Sequence, residues 1–554
     1  MKRGLNVGLY QFVFSLSQSL DLINPAMANH HKRVAYIALR IAETAEITGK
    51  EKENIVIAAA LHDIGALSFK RNFQEDAAAF RQRSLAFNLR SAHFGYQLIQ
   101  RFKPFIEAAR ILRYHNMPWA WGSKQTTNND EIPLGSHVVH LANLVDHMLD
   151  KKSPVLQQTA AIFSELQARS GEVLCPQFVK AFLEVSKSDA FWLDLDAPDL
   201  IHVLFERAPF STVDLDIEGL LDFAELLAQI IDFRCRYTAT HSHGVADAAA
   251  LLAHHFGFPA KECKRLKVAG YLHDIGKLSI PMEMMEKPGK LTDEEWQIVR
   301  AHPYYTFRIL APIKGMEDIA HWCGLHHERL NGEGYPYRVS QTEIPLEARI
   351  LAVADVFTAL TENRPYRHGL DEVKTLAILE DMVKEFSLDA NIVNVLKSNF
   401  EEINGSRAAA QAIALQEYKI FMDSIAILDL SGARTAHLAW KFRLRAYLDG
   451  ENVLTREQLV NHHDCDLGRW FYGEGLQHYG DIPEMHNLEI PHAELHRLTH
   501  TLVHHYDHGE HDKAEACFTQ LAPLSTQIVD ILCVIESKAA EAMKSQIDAI
   551  HIPE

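Results

Sequence analysis

The feature that most constrains the fold is an internal repeat of histidines and aspartates within the first 403 residues. The same residue types recur in the same order, as His30, His62-Asp63, His93, His115 and Asp146 in the first copy and as His241, His273-Asp274, His302, His326 and Asp355 in the second. Corresponding intervals differ by two residues at most, and LHDIGALSF at 61–69 matches LHDIGKLSI at 272–280. Agreement at four successive intervals predicts two copies of one structural unit.

The pattern of apolar residues predicts helices rather than strands. QQTAAIFSELQARS at 157–170 and EDIAHWCGLHHERL at 317–330 repeat with a period of about 3.6 residues. Thr292 and Glu295 have the spacing of a capping box at the start of a helix. Polar or Pro/Gly-marked breaks near 206–216 and 401–411 separate three segments. We therefore predict an all-α protein with domains at 1–205, 212–403 and 415–550.

Charge and cysteine usage exclude several classes of protein. The net charge of −18 repels polyanions, so neither DNA nor RNA is the expected partner. The seven cysteines form no CxxC pair, which favours a reducing cytoplasm over a disulfide framework. No apolar run reaches the roughly 18 residues of a membrane span, so none is expected. Lys2 and Arg3 begin a stretch that resembles a secretory signal, but polar residues interrupt it, and we expect a helix there.

The second copy of the repeat is rich in metal ligands. Neutral imidazoles and carboxylates bind Fe, Mn and Zn, and such groups on several helices can converge in the core of a bundle. Any one of these histidines could be an ordinary core or surface residue. Burying the whole set without a metal or a dense hydrogen-bond network would be costly. Asp274 could bridge two cations, since a carboxylate has two oxygens.

Three motifs in this copy are specific: HDIGK at 273–277, HHERLNGEGYP at 326–336 and DVFTALTENRPYR at 355–367. In this order they resemble the HD-GYP family of cyclic dinucleotide phosphodiesterases over about 212–403. The resemblance implies an all-helical HD-fold with two Fe or Mn ions. By this resemblance one ion would be held by His241, His273, Asp274 and Asp355, and the other by Asp274, His302, His326 and His327. Tyr237 stands where three-metal members have a glutamate, which favours two metals.

The resemblance also assigns roles around these metals. Two cations roughly 3.5 to 4 Å apart can activate a water and steady the leaving alkoxide, so no nucleophilic side chain is needed. Asp274 and Lys277 would be catalytic, with Lys277 neutralising charge in the transition state. Glu328 would orient a metal ligand, while Thr358 departs from the acid found in many members. The predicted substrate contacts are Lys277, Gly334, Tyr335, Pro336, Arg364 and Arg367, with the glycine-rich turn leaving room for a phosphodiester.

The first copy resembles an HD-related domain that has lost this chemistry. It retains His30, His62, Asp63 and Asp146, so one metal ion could still bind. Asn116 replaces the second histidine of the pair, Ala66 replaces the lysine, and NMPWAWGS replaces the GYP turn. A structural or dimerising role, ligand sensing and independent hydrolysis all remain open.

The third segment contains a separate set of ligands, His437, Cys465, His492 and His496. His492 and His496 are one helical turn apart, and three nitrogens with one sulfur suit a closed, tetrahedral zinc site. The set resembles the chemoreceptor zinc-binding (CZB) domain, a four-helix bundle, over about 418–540. The lone thiolate is also oxidisable. His500, His504 and His508 extend the stripe, as a weaker metal face or as solvated polar residues.

The predicted architecture is therefore two tandem HD-fold domains followed by a four-helix zinc-binding bundle. The predicted function is metal-dependent hydrolysis of cyclic di-GMP to linear pGpG, and onward to GMP, under control of the C-terminal zinc or redox sensor. The alternatives are a phosphodiesterase for hybrid cyclic GMP-AMP and a receptor that binds the dinucleotide without hydrolysis. Homodimerisation is expected for both family types.

Overall fold

The computed structural model describes residues 7–21, 29–68, 85–122, 132–150, 152–197, 199–207, 214–233, 240–285, 287, 290–363, 368–448 and 461–548. Nearly all regular structure in these ranges is helical, which confirms the all-α prediction. The chain forms two compact units, one of residues 1–82 and 91–418 and the other of residues 83–90 and 419–554. Both copies of the repeat thus lie in the first unit.

The first copy consists of a two-residue strand followed by helices. The strand is Val7–Gly8, and the α-helices are Leu9–Asp21, His30–Thr44, Gly49–Leu61, Leu85–Ile99, Ile106–Tyr114, Trp119–Gly122, Leu134–Met148, Thr159–Ala168, Pro176–Val185, Asp189–Leu195 and Leu200–Arg207. Short 3-10 helices are Ile64–Ser68, Lys103–Phe105 and Val155–Gln157. The stretch that resembles a secretory signal forms the first helix, and its apolar side chains Phe12, Val13, Phe14 and Leu16 are buried.

The second copy repeats this order. Its strand is Asp214–Leu215, and its α-helices are Ile217–Asp232, His241–His255, Ala260–Leu272, Met282–Met285, Asp293–Val299, His302–Leu310, Glu317–Gly324, Leu346–Thr361, Glu372–Lys384 and Ala390–Ser398, with 3-10 helices at Ile275–Ser279 and Gln341–Glu343. The capping box is confirmed, because the Thr292 hydroxyl accepts from the Glu295 N–H while the Glu295 carboxylate accepts from the Thr292 N–H.

The two copies pack against each other in a reciprocal manner. Their strands pair antiparallel, Val7 with Leu215 and Gly8 with Asp214. The rings of Phe12 and Phe223, which occupy equivalent places in the repeat, meet edge to face with centroids 5.1 Å apart. Contacts in which equivalent residues meet each other are the signature of a two-fold axis. The two copies thus pack against each other as the subunits of a symmetric dimer do.

The first helix of each copy lies against the other copy. In helix Leu9–Asp21, the Ser15 hydroxyl donates to the carbonyl of Ile309, near the end of the helix that His302 begins. In helix Ile217–Asp232, the Phe223 ring packs on Phe102 and Phe105. Each copy therefore completes the core of the other.

The break predicted near 401–411 does not occur. A single helix, Phe400–Leu448, runs through this segment and continues from the first compact unit into the second. The segment contains no proline, and a Cβ at Gly405 would meet nothing within 4 Å. One glycine costs a helix only about 1 kcal/mol, and the surrounding Glu, Arg, Ala and Gln are strong helix formers.

The second unit is a helical bundle with its own core. Its further elements are Asp466–Trp470, the π-helical Phe471–Gly475, Leu476–Tyr479, Pro483–His486, Glu489–Asp507 and His511–Asp548. Leu495 and Leu502 of one long helix and Leu521 and Ile528 of the next belong to this core. Among the described helices, only His511–Ile535 has the length and hydropathy of a membrane span, which is weak evidence because soluble core helices pass the same test.

Candidate metal centres

The second copy presents its seven predicted metal ligands at the ends of helices, with one exception. His241 and His302 each begin a helix, whereas His273-Asp274 and His326-His327 follow the ends of two others. Asp355 lies inside helix Leu346–Thr361. Six of the seven side chains are buried, and His327 is partly exposed.

These seven residues come together as three overlapping groups, in each of which the ligand atoms lie within 4.8 Å of one another. The groups are His241, His273 and Asp355; His273, Asp274 and His326; and His302, His326 and His327. The overlap joins all seven residues into one cluster, which is large enough for more than one cation, and within it a carboxylate with two oxygens could bridge two ions.

Asp274 lies between the groups. Its Oδ2 is 3.2 Å from Nε2 of His273, and its Oδ1 is 3.2 Å from Nε2 of His302. Burial disfavours the carboxylate, but the positive potential of His273 and Lys277 holds the pKa of Asp274 well below its usual range. The ionised group therefore offers one oxygen to each side of the centre.

Backbone carbonyls orient three of the imidazoles. Nδ1 of His273, His302 and His326 lies 2.7, 2.7 and 2.6 Å from the carbonyl oxygen three residues earlier in each case. A ring that donates Nδ1–H to a carbonyl keeps its Nε2 lone pair for a metal. Burial lowers the pKa of His326 well below its usual value and that of His327 to about 3, so both rings are neutral.

Glu362 is a residue of this centre that the sequence analysis missed. Its Oε2 lies 3.1 Å from Nδ1 of His241, whose Nε2 is 3.1 Å from Oδ1 of Asp355. Burial disfavours the protonated ring, but these two carboxylates raise the pKa of His241 to about 10. The available signal was helical periodicity, since Glu362 follows Asp355 by seven residues and so lies on the same face.

A second layer holds Glu362 in turn. Gln411 of helix Phe400–Leu448 donates from Nε2 to Glu362 at 3.0 Å and accepts from Arg407. All three side chains are buried. Helix Phe400–Leu448 therefore supports the residue that orients His241.

The chemistry of the donor set fits cations. His273 Nε2 and Asp274 Oδ1 are buried and have no hydrogen-bond partner among the described residues. A buried polar atom without a partner is costly, and a cation that both atoms coordinate would remove that cost. Lys277, on the 3-10 helix Ile275–Ser279, donates to Oδ2 of Asp274 and thus faces the centre as predicted.

The GYP turn lies beside this centre. The Tyr335 ring is 4.9 Å from that of His327, and the Arg300 guanidinium lies over Tyr335 at 4.9 Å. Glu328 accepts from the N–H groups of Tyr337 and Arg338, so it holds the turn rather than a metal ligand. A Cβ at Gly334 would lie 2.5 Å from Cα of Glu328. This glycine is therefore required by the turn's own packing, not only by an approaching substrate.

Other predicted features lie elsewhere or outside the described residues. Thr358 is buried, and its methyl faces Gly244. Arg364, Arg367 and Tyr237 lie outside the described residues.

The first copy brings a smaller set together. His30, His62 and Asp63 form one group with ligand atoms within 4.8 Å. His62 and His115 use Nδ1 toward the carbonyls of Ala59 and Leu112, as their counterparts do in the second copy. His93 is instead 3.1 Å from Gln97.

Asp146 is not part of that group. It lies 2.6 Å from Nδ1 of His30, on the side of the ring away from His62, whose Nε2 is 3.1 Å from Nε2 of His30. Arg33 donates to both oxygens of Asp146. Asp146 therefore orients His30 as Glu362 orients His241, and the set of four ligands does not converge on one point.

The second unit gathers three of the four predicted zinc ligands. Cys465 Sγ lies 3.2 Å from Nε2 of His492, and His496 completes the group within 4.8 Å. His492 and His496 are buried, and the sulfur also accepts from the N–H of Gly468. These donors fit zinc. The side chain of His437 lies outside the described residues.

Family models match all three parts of the chain. An HD domain matches residues 27–148, a second HD domain model matches residues 225–392, and the chemoreceptor zinc-binding domain matches residues 437–503. The third match includes His437, Cys465, His492 and His496.

Curated relatives cover different shares of the chain. The 3′3′-cGAMP-specific phosphodiesterases 1 and 3 of Vibrio cholerae are each 28% identical, over 72% and 67% of this chain and 93% and 90% of their own lengths. A cyclic di-GMP phosphodiesterase of Pseudomonas aeruginosa is 39% identical over 25% of this chain and 34% of its own length. The chain thus contains an HD domain, a second HD domain and a chemoreceptor zinc-binding domain, and the relatives named above are phosphodiesterases of cyclic dinucleotides.

Proposed function

We propose that the chain is a metal-dependent phosphodiesterase that hydrolyses a cyclic dinucleotide. The observation that carries this proposal is the convergence of seven candidate ligands, Asp274 among them, with two buried ligand atoms that lack a hydrogen-bond partner among the described residues. The names of the relatives agree with this reaction class.

The ligands would hold two Fe or Mn ions, one near His241 and Asp355 and the other near His302 and His327, with Asp274 between them. When bound, such ions supply an activated water and positive charge for the phosphate oxygens. The chain's own contribution is to orient the ligands. Carbonyl groups set the histidine tautomers, Glu362 fixes His241, and Lys277 places a further positive charge beside Asp274.

Substrate contacts would come from the GYP turn and from Lys277. Tyr335 offers a ring next to His327, and Arg300 adds a cation above that ring. Gly334 and Pro336 shape the turn, and we also assign phosphate or base contacts to Arg364 and Arg367. Asp274 and Lys277 would act on the reacting phosphate.

Two dinucleotides are candidates. Cyclic di-GMP, cleaved to pGpG and then to GMP, is the substrate that the motifs first suggested. The relatives that extend over both HD segments are named for 3′3′-cGAMP, whereas the cyclic di-GMP phosphodiesterase of Pseudomonas aeruginosa matches a quarter of the chain. Hybrid cyclic GMP-AMP is therefore the second candidate substrate, and the greater coverage by its named relatives supports it.

The test is anaerobic turnover of both dinucleotides by protein loaded with Fe(II) or Mn(II), beside the Asp274→Ala variant, with products separated by chromatography. Linear product from the wild type alone supports the enzyme, and the ratio of kcat/KM values identifies the preferred substrate. Tight binding of either dinucleotide to metal-loaded protein, with no product, would instead establish the receptor.

We further propose that the second unit regulates turnover through one zinc ion held by His437, Cys465, His492 and His496. Oxidation of Cys465 or loss of zinc would release a ligand and let the bundle repack. Turnover should therefore change when zinc is stripped by a chelator and return when zinc is restored. Equal rates in the two states, and in Cys465→Ser, would show that zinc is structural only.

We also propose that the protein acts in the cytoplasm as a homodimer. Since the two HD copies already pair within one chain, a homodimer would have to use another surface. Light scattering of the full chain over a range of concentrations measures its mass, and a constant monomer mass would remove this part of the proposal.

A further inference from the structure

Equivalent helices of the two HD copies differ in the residues that follow their first histidine, and one of these differences lies beside an acid of the centre. His30 begins helix His30–Thr44 and His241 begins helix His241–His255. Three residues later the first copy has Arg33 and the second has Gly244. Arg33 places a charged side chain at this position, whereas Gly244 places none there.

In the second copy there is no space for a side chain at this position. A Cβ on Gly244 would lie 2.8 Å from Cγ2 of Thr358 and 3.0 Å from Cδ of Gln411. Such contacts are closer than real Cβ atoms tolerate without a shift of their neighbours. Thr358 and Gln411 fill the space beside Gly244, and Gln411 also donates to Glu362. No side chain from this position therefore contacts the acids of the centre, and they stay open to cations.

In the first copy this position carries a fixed positive charge. The Arg33 guanidinium donates from Nε to Oδ1 of Asp146 and from Nη2 to Oδ2 at 3.2 Å. The side chains are 9% and 3% exposed, so the pair is shielded from water. A guanidinium stays protonated in proteins, and a bidentate contact with a carboxylate is the strongest geometry open to it.

The count of fixed charges separates the two centres. Among the described residues, the second copy has four carboxylates, Asp232, Asp274, Asp355 and Glu362, which are accompanied by Lys277 and Arg407. In the first copy two carboxylates, Asp63 and Asp146, are accompanied by Arg33. The larger excess of negative charge is therefore in the copy whose ligands overlap in three groups.

We propose that the Arg33 guanidinium, instead of a metal ion, is the cationic partner of Asp146 in the first HD copy, which thus folds as a metal-free partner of the second. Asp146 is bound to Arg33 and to Nδ1 of His30, and one carboxylate, Asp63, remains beside His30 and His62. The proposal does not depend on the phosphodiesterase activity, because it concerns the other centre.

The test counts metal ions in a protein whose second centre has been removed. His273→Ala/Asp274→Ala protein, with its zinc retained, is equilibrated with Mn(II), dialysed and measured by elemental analysis and by the Mn(II) resonance signal. We expect no Mn(II) when Arg33 is present and about one ion per chain after Arg33→Gly. Addition of Asp63→Ala should remove that ion, and Arg33→Lys, which keeps a cation, should gain none.

Two results would overturn the proposal. One is an Mn(II) ion that is already bound in the protein that retains Arg33 and is lost on Asp63→Ala. The other is the absence of Mn(II) from folded Arg33→Gly protein. If Arg33→Gly does not fold, Arg33→Gln removes the charge while filling the space. We expect Arg33→Gln to bind about one Mn(II) ion per chain, and folded Arg33→Gln protein without that ion would overturn the proposal.

Discussion

The two HD copies of this chain have the same order of helices and nearly the same spacing of histidines, yet their centres are built differently. In the second copy His241 is held from Nδ1 by Glu362 and points Nε2 at Asp355. In the first copy Asp146 lies on the Nδ1 side of His30, and Arg33 donates to both oxygens of its carboxylate. The comparison teaches that two copies with nearly the same spacing of histidines and aspartates can share a fold and still differ in their centres. The reason is that the charge around the ligands depends on a few neighbouring positions.

The same pair of copies also shows what a damaged centre can still contribute. The first copy buries its own aromatic residues against Phe223 and contacts Ile309, in the helix begun by His302. Of the three roles left open for it, a structural one agrees best with this reciprocal packing. It supplies the surface that a second subunit would otherwise supply.

The largest expected effect is on kcat/KM, and it distinguishes Asp274 of the second copy from Asp63 of the first. Asp274→Ala should lower kcat/KM at least about 10³-fold, because it removes the group between the metal positions. Asp63→Ala in the first copy should leave kcat/KM within about twofold. Turnover of both variants under identical metal loading measures the contrast, and an equal loss in Asp63→Ala would mean that both centres take part in hydrolysis.

The next effect is on stability and depends on pH. Burial disfavours protonated His30, but Asp146 and then Asp63 raise its pKa to about 9, above the usual 6.5. The stabilisation is therefore complete below pH 6.5 and is lost as the pH rises through 9, by about 3 kcal/mol in total. Urea unfolding of metal-free protein between pH 6 and 9.5 should show this fall in the wild type and not in His30→Gln. The same pH slope in both proteins would contradict the assignment.

Glu362 should matter only in the second copy. Glu362→Gln keeps the shape but removes the charge that orients His241, so Mn(II) affinity should fall about 10- to 100-fold. The repeat places Ser153 at the corresponding position of the first copy, where Ser153→Ala should change nothing. Titration of Mn(II) into both variants makes the comparison, and an unchanged affinity in Glu362→Gln would remove Glu362 from the centre.

The smallest expected effect lies in the second layer. Gln411→Ala removes one hydrogen bond to Glu362 and should lower turnover by about two- to fivefold, in line with about 1 kcal/mol for such a bond. Ile413→Ala, at an exposed position of the same helix, is the matched control. Equal rates for the two variants would show that Glu362 needs no support from this helix.

The repeat and the three motifs together predicted seven ligands for the second centre, and the structure brings these side chains together. His302 and His326 can be aligned from the repeat alone, whereas His327 depends on the motif, because Asn116 stands opposite it. Glu362 was missed because it follows the last predicted ligand by two turns of helix and lies in no histidine motif. The role of Gly334 was seen only in part, since its close contact is with Glu328, a residue of the same turn. The predicted break at 401–411 was wrong because helix-forming residues outweigh a single glycine.

By itself, the sequence determined the all-helical class and the internal repeat, since both depend on residue types at regular spacing, and it predicted which residues are candidate ligands. Only the tertiary structure decided which ligands converge. Asp146 and Asp355 occupy the same place in the repeat, but Arg33 holds one of them while Gly244 leaves the other open. Spacing along a helix does not specify which side of an imidazole a carboxylate will occupy. That choice depends on the neighbouring helices, whose side chains and charges meet only when the copies have packed.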